Sequence, residues 1–313
     1  MMNYSRFRKA SLAVLVSLAA FGFQTSADVS AAAVVMPEQN TVTAAQVPSP
    51  VVKNLKIGSV AVYDFGKIKI HAYQSKDPLG DETYVLENDK HLVLLESTAF
   101  KANNEEWQQY IKSLKKPVAG ALMAYHPNDA DEYGAKIYAT ETALKSWQKG
   151  GSIYALTENF NKGFGTEAVA GTLPTQAKLL QEGQHVKIGG ILFHILPAGD
   201  AAYSIELPQI NVVYRHMMGS HTHNILTSPA HIDAEIAAMQ QYQKAGYALV
   251  LTGHNVPEGQ DAVATKLTYL QTIKQLAAEN KNKEDFVTAV KKSFPDYQGD
   301  NYLMMTADSL YAK

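Results

Sequence analysis

The chain has 313 residues, 46% hydrophobic and 19% charged, with a formal net charge of -2. That is enough chain for a large buried core, and neither the charge nor any basic stripe interleaved with aromatics fits a nucleic-acid binder. It has no cysteine, so disulfides and thiolate ligands are excluded, and any metal must be held by His, Asp, Glu or Asn.

Arg6, Arg8 and Lys9 precede the apolar run at residues 12–23 (LAVLVSLAAFGF), and Val29-Ser30-Ala31 follows as a small-x-small site. A basic region, a short apolar run and a cleavage pattern read as a secretory signal peptide over residues 1–31. The run is too short to cross a bilayer easily, so no membrane span is expected after cleavage. The expected location is periplasmic or secreted, in a bacterial envelope. Residues 32–50 are small, polar and proline-containing, and read as a flexible linker. Residues 51–313 show no internal linker and read as one domain.

Strand signals at 59–64, 67–73, 83–87 and 91–95 are separated by the turns Pro78-Leu79-Gly80-Asp81 and Asn88-Asp89. Residues 105–114 have helical spacing, with Trp107, Ile111 and Leu114 on one face. Residues 118–124 (VAGALMA) read as a buried strand. A strand at 136–139 precedes a helix over 140–149, with Thr140 as N-cap and Gly150-Gly151 as stop. Residues 185–196 read as a hairpin pivoting at Gly189-Gly190, and 203–207 and 211–214 as strands. Ser228-Pro229 starts a helix that runs to 245. A short buried strand at 248–252 and helices over 262–280, 284–294 and 301–311 complete the chain. Strand-rich stretches followed by helices thus occur twice, which two face-to-face sheets with helices outside would satisfy.

Polar residues gather at the ends of these strands, where α/β scaffolds carry function. After the 118–124 strand, Tyr125-His126-Pro127-Asn128-Asp129-Ala130-Asp131-Glu132 packs one His, one Asn and three acids into a turn. Gly199-Asp200 follows the hairpin. His216, with His221 and His223, follows the 211–214 strand. Gly253-His254-Asn255 ends the 248–252 strand. Singly, each also fits an acidic solvated loop, a common turn or an ordinary buried His.

Together and in order, the segments resemble the metallo-β-lactamase fold superfamily, over about residues 55–275. His126-Pro127-Asn128-Asp129-Ala130-Asp131 falls on the family motif HxHxDH. Gly199-Asp200-Ala201-Ala202-Tyr203-Ser204 falls on its G-H-T-x-G-S element, and Leu207-Pro208 to His216 on its "LP…V-L-F-x-G-D" stretch. Gly253-His254 falls on its late strand-end "GH", and Leu92-Val93-Leu94-Leu95-Glu96 on its early "LVLID" strand. Only His126 and His254 keep the family's ligand types. Asn128, Ala130, Asp131, Asp200 and His216 depart from it, the last two as an apparent exchange of acid and imidazole.

The resemblance implies a four-layer αββα sandwich. It further implies a hydrolase with a reduced site of at most one zinc ion, held by His126, Asp200, His216 and His254, acting on an ester- or lactam-type bond. In that reading Asp131 acts in catalysis or beside the metal, and Tyr125, Asn128, Arg215 and His223 contact a small-molecule substrate. The competing reading is a metal-free member that binds a ligand in the former cleft, with Arg215 as cation for an anionic group. A purely structural envelope protein would show no cavity with converging polar groups.

Overall fold

The structure is a computed structural model that describes residues 47–198 and 202–312. The expected signal peptide lies outside the described residues. Of the expected linker, residues 47–50 are described and form no regular element.

Strands β1 (Val51–Asn54), β2 (Ser59–Asp64), β3 (Lys69–Gln74), β4 (Glu82–Glu87) and β5 (Leu92–Leu95) form an antiparallel meander. Helix α1 (Lys101–Ser113) crosses over to β6 (Val118–Leu122), which pairs parallel with β5. A 3-10 turn (Ala130–Tyr133), β7 (Ile137–Thr140), α2 (Glu141–Trp147), α3 (Ser152–Phe164) and β8 (Lys178–Leu180) follow, completing an eight-stranded sheet in sequence order. Thr140 caps α2 as expected, its Oγ1 accepting the Ala143 N–H at 3.2 Å. The sequence does not announce α3 or β8. The helix has no side-chain N-cap, and the strand is three residues long.

The second sheet begins with the hairpin β9 (His185–Ile188) and β10 (Ile191–Pro197), pivoting at Gly189 and Gly190, both at positive φ. A Cβ at Gly189 would also sit 2.8 Å from Cβ of Ala119. β11 (Tyr203–Leu207) and β12 (Val212–Tyr214) continue antiparallel. α4 (Pro229–Ala245), capped by the Ser228 Oγ, then leads to β13 (Leu249–Leu251), parallel to β12. Helices α5 (Gln260–Glu279), α6 (Lys283–Ser293) and α7 (Asp300–Leu310) complete the fold. No helix of the described residues is long and apolar enough to cross a membrane.

Side-chain alternation sorts the layers. Val212, Tyr214, Leu249 and Leu251 join the core shared with the first sheet, alongside Ile70, Leu86, Phe193 and Ile205. Val213 and Val250, one residue out of phase, join the helical core with Ile232, Met239, Val263 and Leu270. On the first sheet's other face, Trp107 of α1 stacks on Tyr73 at 5.0 Å. The order is helix, sheet, sheet, helix, as a four-layer sandwich requires.

Buried tyrosines fasten the sheets together at one end. Tyr84 of β4 donates to the Thr252 carbonyl at 2.6 Å and accepts the Thr252 N–H at 2.9 Å. Tyr203 of β11 donates to the carbonyls of Met123 and Tyr138 at 2.9 and 3.1 Å. This is the end where β5, β6, β12 and β13 release their chains into the loops that carry Glu96 and the three histidines.

Candidate metal centre

Glu96, directly after β5, organises the loop that leaves β6. Its buried carboxylate accepts the backbone N–H groups of Ala124 (3.1 Å), Tyr125 (3.0 Å) and His126 (2.9 Å), and the Tyr214 hydroxyl at 3.0 Å. Three amides leaving a strand have no ladder partner, and a buried unpaired N–H is costly. One carboxylate satisfies all three and fixes where His126 emerges.

His216 and His254 are placed by the second sheet. The His216 carbonyl accepts the Gly253 N–H at 2.9 Å and the Thr252 hydroxyl at 2.7 Å. Position 253 has room only for glycine, because a Cβ there would lie 2.2 Å from His216 Nδ1. Tyr125 stacks on His216 with centroids 4.0 Å apart and planes 9° from parallel.

The result is a cluster of three imidazoles. Ring centroids are 4.8 Å apart for His126 and His216, 5.0 Å for His126 and His254, and 4.7 Å for His216 and His254. One nitrogen of each lies within 4.8 Å of the others, and His254 Nε2 is 3.2 Å from His216 Nε2. Burial, reinforced by His254 and His126, pushes the His216 pKa well below its usual value and keeps that ring neutral, the form that offers a lone pair to a metal.

Asp81 lies beneath the cluster. It ends the turn between β3 and β4 and is completely buried. Its Oδ2 accepts the Ala99 N–H at 2.8 Å, while Oδ1 stands 3.4 Å from His254 Nδ1 and 3.9 Å from His126 Nδ1. Burial works to raise the Asp81 pKa, but the facing imidazoles of His126 and His254 outweigh it and hold the pKa below the usual aspartate value.

A cleft of about 390 Å³ opens beside His254, lined also by Asp77, Leu79, Thr222, Asn255 and Tyr302. A cavity of about 30 Å³ lies between Tyr125, Arg215, His216 and Glu235, room for about one water. A further cleft of about 370 Å³ is lined by Lys67, Asn88, His91 and Gly189 at the hairpin turns, and by none of the three imidazoles.

Of the expected ligands, His126, His216 and His254 meet; Asp200 lies outside the described residues. Tyr125 is at the site, against His216. The other expected contacts are turned elsewhere. Asn128 is buried and donates to the Ala170 carbonyl at 2.7 Å, holding the loop to the segment after α3. Asp131 is exposed on the 3-10 turn and is not part of the histidine cluster. Arg215 is buried and paired with Glu235 of α4, with further bonds to Ser204 Oγ and the Ala198 carbonyl at 3.3 Å. His223 is a core histidine of the helical layer, its Nδ1 3.1 Å from the Tyr269 hydroxyl, and burial lowers its pKa to about 4. Asp81 was legible only as a turn residue. Glu96 had one signal, its place at the end of a strand like the family's "LVLID".

Among solved structures, the chain is similar to a β-lactamase domain protein from Burkholderia ambifaria, at 13% identity and a TM-score of 0.59, over 86% of this chain and 91% of that one. It is similar to a metallo-β-lactamase family protein from Thermus thermophilus at 13% identity and a TM-score of 0.56, over 78% and 91% of the two chains. This is the metallo-β-lactamase fold. A stereoselective inverting sec-alkylsulfatase from Pseudomonas sp. is also similar, at 16% identity and a TM-score of 0.55 over 80% of this chain, which spans about half (49%) of the sulfatase's length. No protein-family model matches the sequence, and no curated protein sequence does. Within the metallo-β-lactamase fold, the histidines stand at the ends of β6, β12 and β13, in the order the sequence resemblance gave.

Proposed function

We propose that the protein is an exported, metal-dependent hydrolase with a single zinc ion held by His126, His216 and His254, acting on an ester- or lactam-type bond. The observation that carries this reading is the 3.2 Å separation of His254 Nε2 and His216 Nε2. Zinc–nitrogen bonds of about 2.0–2.1 Å place tetrahedral ligands about 3.3–3.4 Å apart, so the two nitrogens already stand at the spacing of ligands on one ion. Zinc bound there would supply a Lewis acid and acidify its bound water.

The chain's own residues supply the rest. Three protein ligands leave a coordination position open, as catalytic sites require. Glu96 and Gly253 fix two of the three ring positions, and Tyr125 restrains His216 from turning. The cleft beside His254 gives a substrate its approach. Among the described residues a second ion lacks the family's donors, since Ala130 replaces the acid of HxHxDH and Asn128 is committed to Ala170. Export rests on the basic and apolar N-terminal pattern.

Zinc content per chain, measured on untagged protein, tests the reading together with turnover of a panel of esters, lactams and alkyl sulfates. The expected result is one equivalent of zinc, with both zinc and turnover lost in His216→Ala. Full-length folded protein that takes up no zinc would instead leave the metal-free ligand-binding reading.

A further inference from the structure

Three buried polar atoms at the centre have no hydrogen-bond partner: His126 Nδ1, His254 Nδ1 and Asp81 Oδ1. They face one another at 3.4 and 3.9 Å. Buried polar atoms find partners, and a carboxylate oxygen can only accept. Asp81 is itself clamped: its Oδ2 is taken by the Ala99 N–H, its N–H points to Asp77 Oδ1 at 3.3 Å, and its carbonyl accepts the Ser75 N–H at 3.0 Å. The oxygen left over is the one acceptor that faces both Nδ1 atoms, within a short closure of hydrogen-bond distance of each.

His216 is oriented by a different route. The Tyr214 hydroxyl has one proton, and it donates that proton to Glu96 at 3.0 Å. Toward His216 Nδ1, 3.3 Å away, the same oxygen can therefore only accept, so this Nδ1 carries a proton too.

Resting on the metal-centre reading above, we infer that two buried carboxylates, Asp81 directly and Glu96 through Tyr214, are positioning residues that fix all three imidazoles as Nδ1–H tautomers with their Nε2 lone pairs turned to one centre. Hydrogen-bonded carboxylates of this kind raise ligand basicity and set ring orientation, and losing one costs about 10- to 100-fold in metal affinity. The two Nε2 atoms 3.2 Å apart would share an N–H···N hydrogen bond if either ring were protonated there; with both protons held at Nδ1, a shared cation takes the place of that bond.

The two routes are separable. In Asp81→Asn the amide oxygen stays with the Ala99 N–H and the NH2 group turns to the imidazoles, so His126 and His254 must present lone pairs at Nδ1 and move their protons to Nε2. In Tyr214→Phe only His216 loses its acceptor. The test is histidine-selective 15N NMR of the apo protein at pH 8, with zinc affinity by chelator competition on the same samples. Wild type should show three Nδ1–H rings. Asp81→Asn should convert His126 and His254 alone, and Tyr214→Phe should disturb His216 alone, each with zinc affinity about 10- to 100-fold weaker. Unchanged tautomers, or lowered stability with wild-type zinc affinity, would overturn the inference while leaving the metal centre intact. Nδ1–H tautomers in a wild type that binds no zinc would instead sink the metal reading, and with it the role assigned to these carboxylates.

Discussion

Gly253 packs directly against His216, so that a Cβ at position 253 would fall 2.2 Å from Nδ1 and 2.6 Å from Cε1 of the ring. The imidazole has little room to yield, because Tyr125 is stacked on it at 4.0 Å. Gly253→Ala therefore moves a ligand. The expected outcome is a loss of zinc affinity of at least about 10-fold and a stability loss of about 1–3 kcal/mol from overpacking. Chelator competition and denaturant unfolding measure the two. Wild-type affinity in this variant would mean that His216 is not held where the fold places it.

Arg215, which reads from sequence as a cation for an anionic ligand, is a structural charge. Burial disfavours its charged form, but Glu235 and neighbouring tyrosines outweigh this and raise its pKa above the ordinary arginine value. Breaking a buried pair leaves one charge uncompensated. Arg215→Met should cost about 3–5 kcal/mol, and Arg215→Met with Glu235→Leu should recover most of it. Zinc affinity should change little in the double variant. Equal instability of single and double variants in urea melts would contradict this.

Lys266 of α5 is buried, donating to the Thr222 carbonyl and Asn224 Oδ1, both at 2.7 Å, and burial lowers its pKa from 10.5 to about 7. Below pH 7 folded and unfolded chains both hold the proton, and the full cost of burying the charge is present. Between about pH 7 and 10.5 the unfolded chain holds more protons, so stability rises with pH, by up to about 1.4 kcal/mol per unit. Unfolding free energies at pH 7 to 9.5, below the range where the buried tyrosines titrate, should climb in wild type and stay flat in Lys266→Met. A flat wild-type profile would show the lysine to be solvated.

The elements set by local chemistry were legible in sequence. Thr140, Ser228-Pro229 and Gly189-Gly190 each act on neighbouring backbone, and the structure uses each as a cap or pivot. The three histidines were legible because strand ends are marked by where an apolar run stops. Asp81 and Arg215 were not, because what decides their roles lies far along the chain. Asp81 ends a turn whose sequence says nothing of the loops after β6 and β13 that fold over it. Arg215 is neutralised by Glu235, one of the two acids on α4. Asn128 sits in the motif segment but turns to the Ala170 carbonyl, a contact 42 residues distant.

If the proposed centre is right, His126, His216 and His254 together hold one metal ion. Anomalous diffraction at the zinc edge, on crystals of the untagged protein grown with zinc, tests it most directly. A single strong peak is expected about 2.0–2.1 Å from one nitrogen of each of the three rings. Well-ordered imidazoles with no peak among them, or a peak held by other residues, would contradict it.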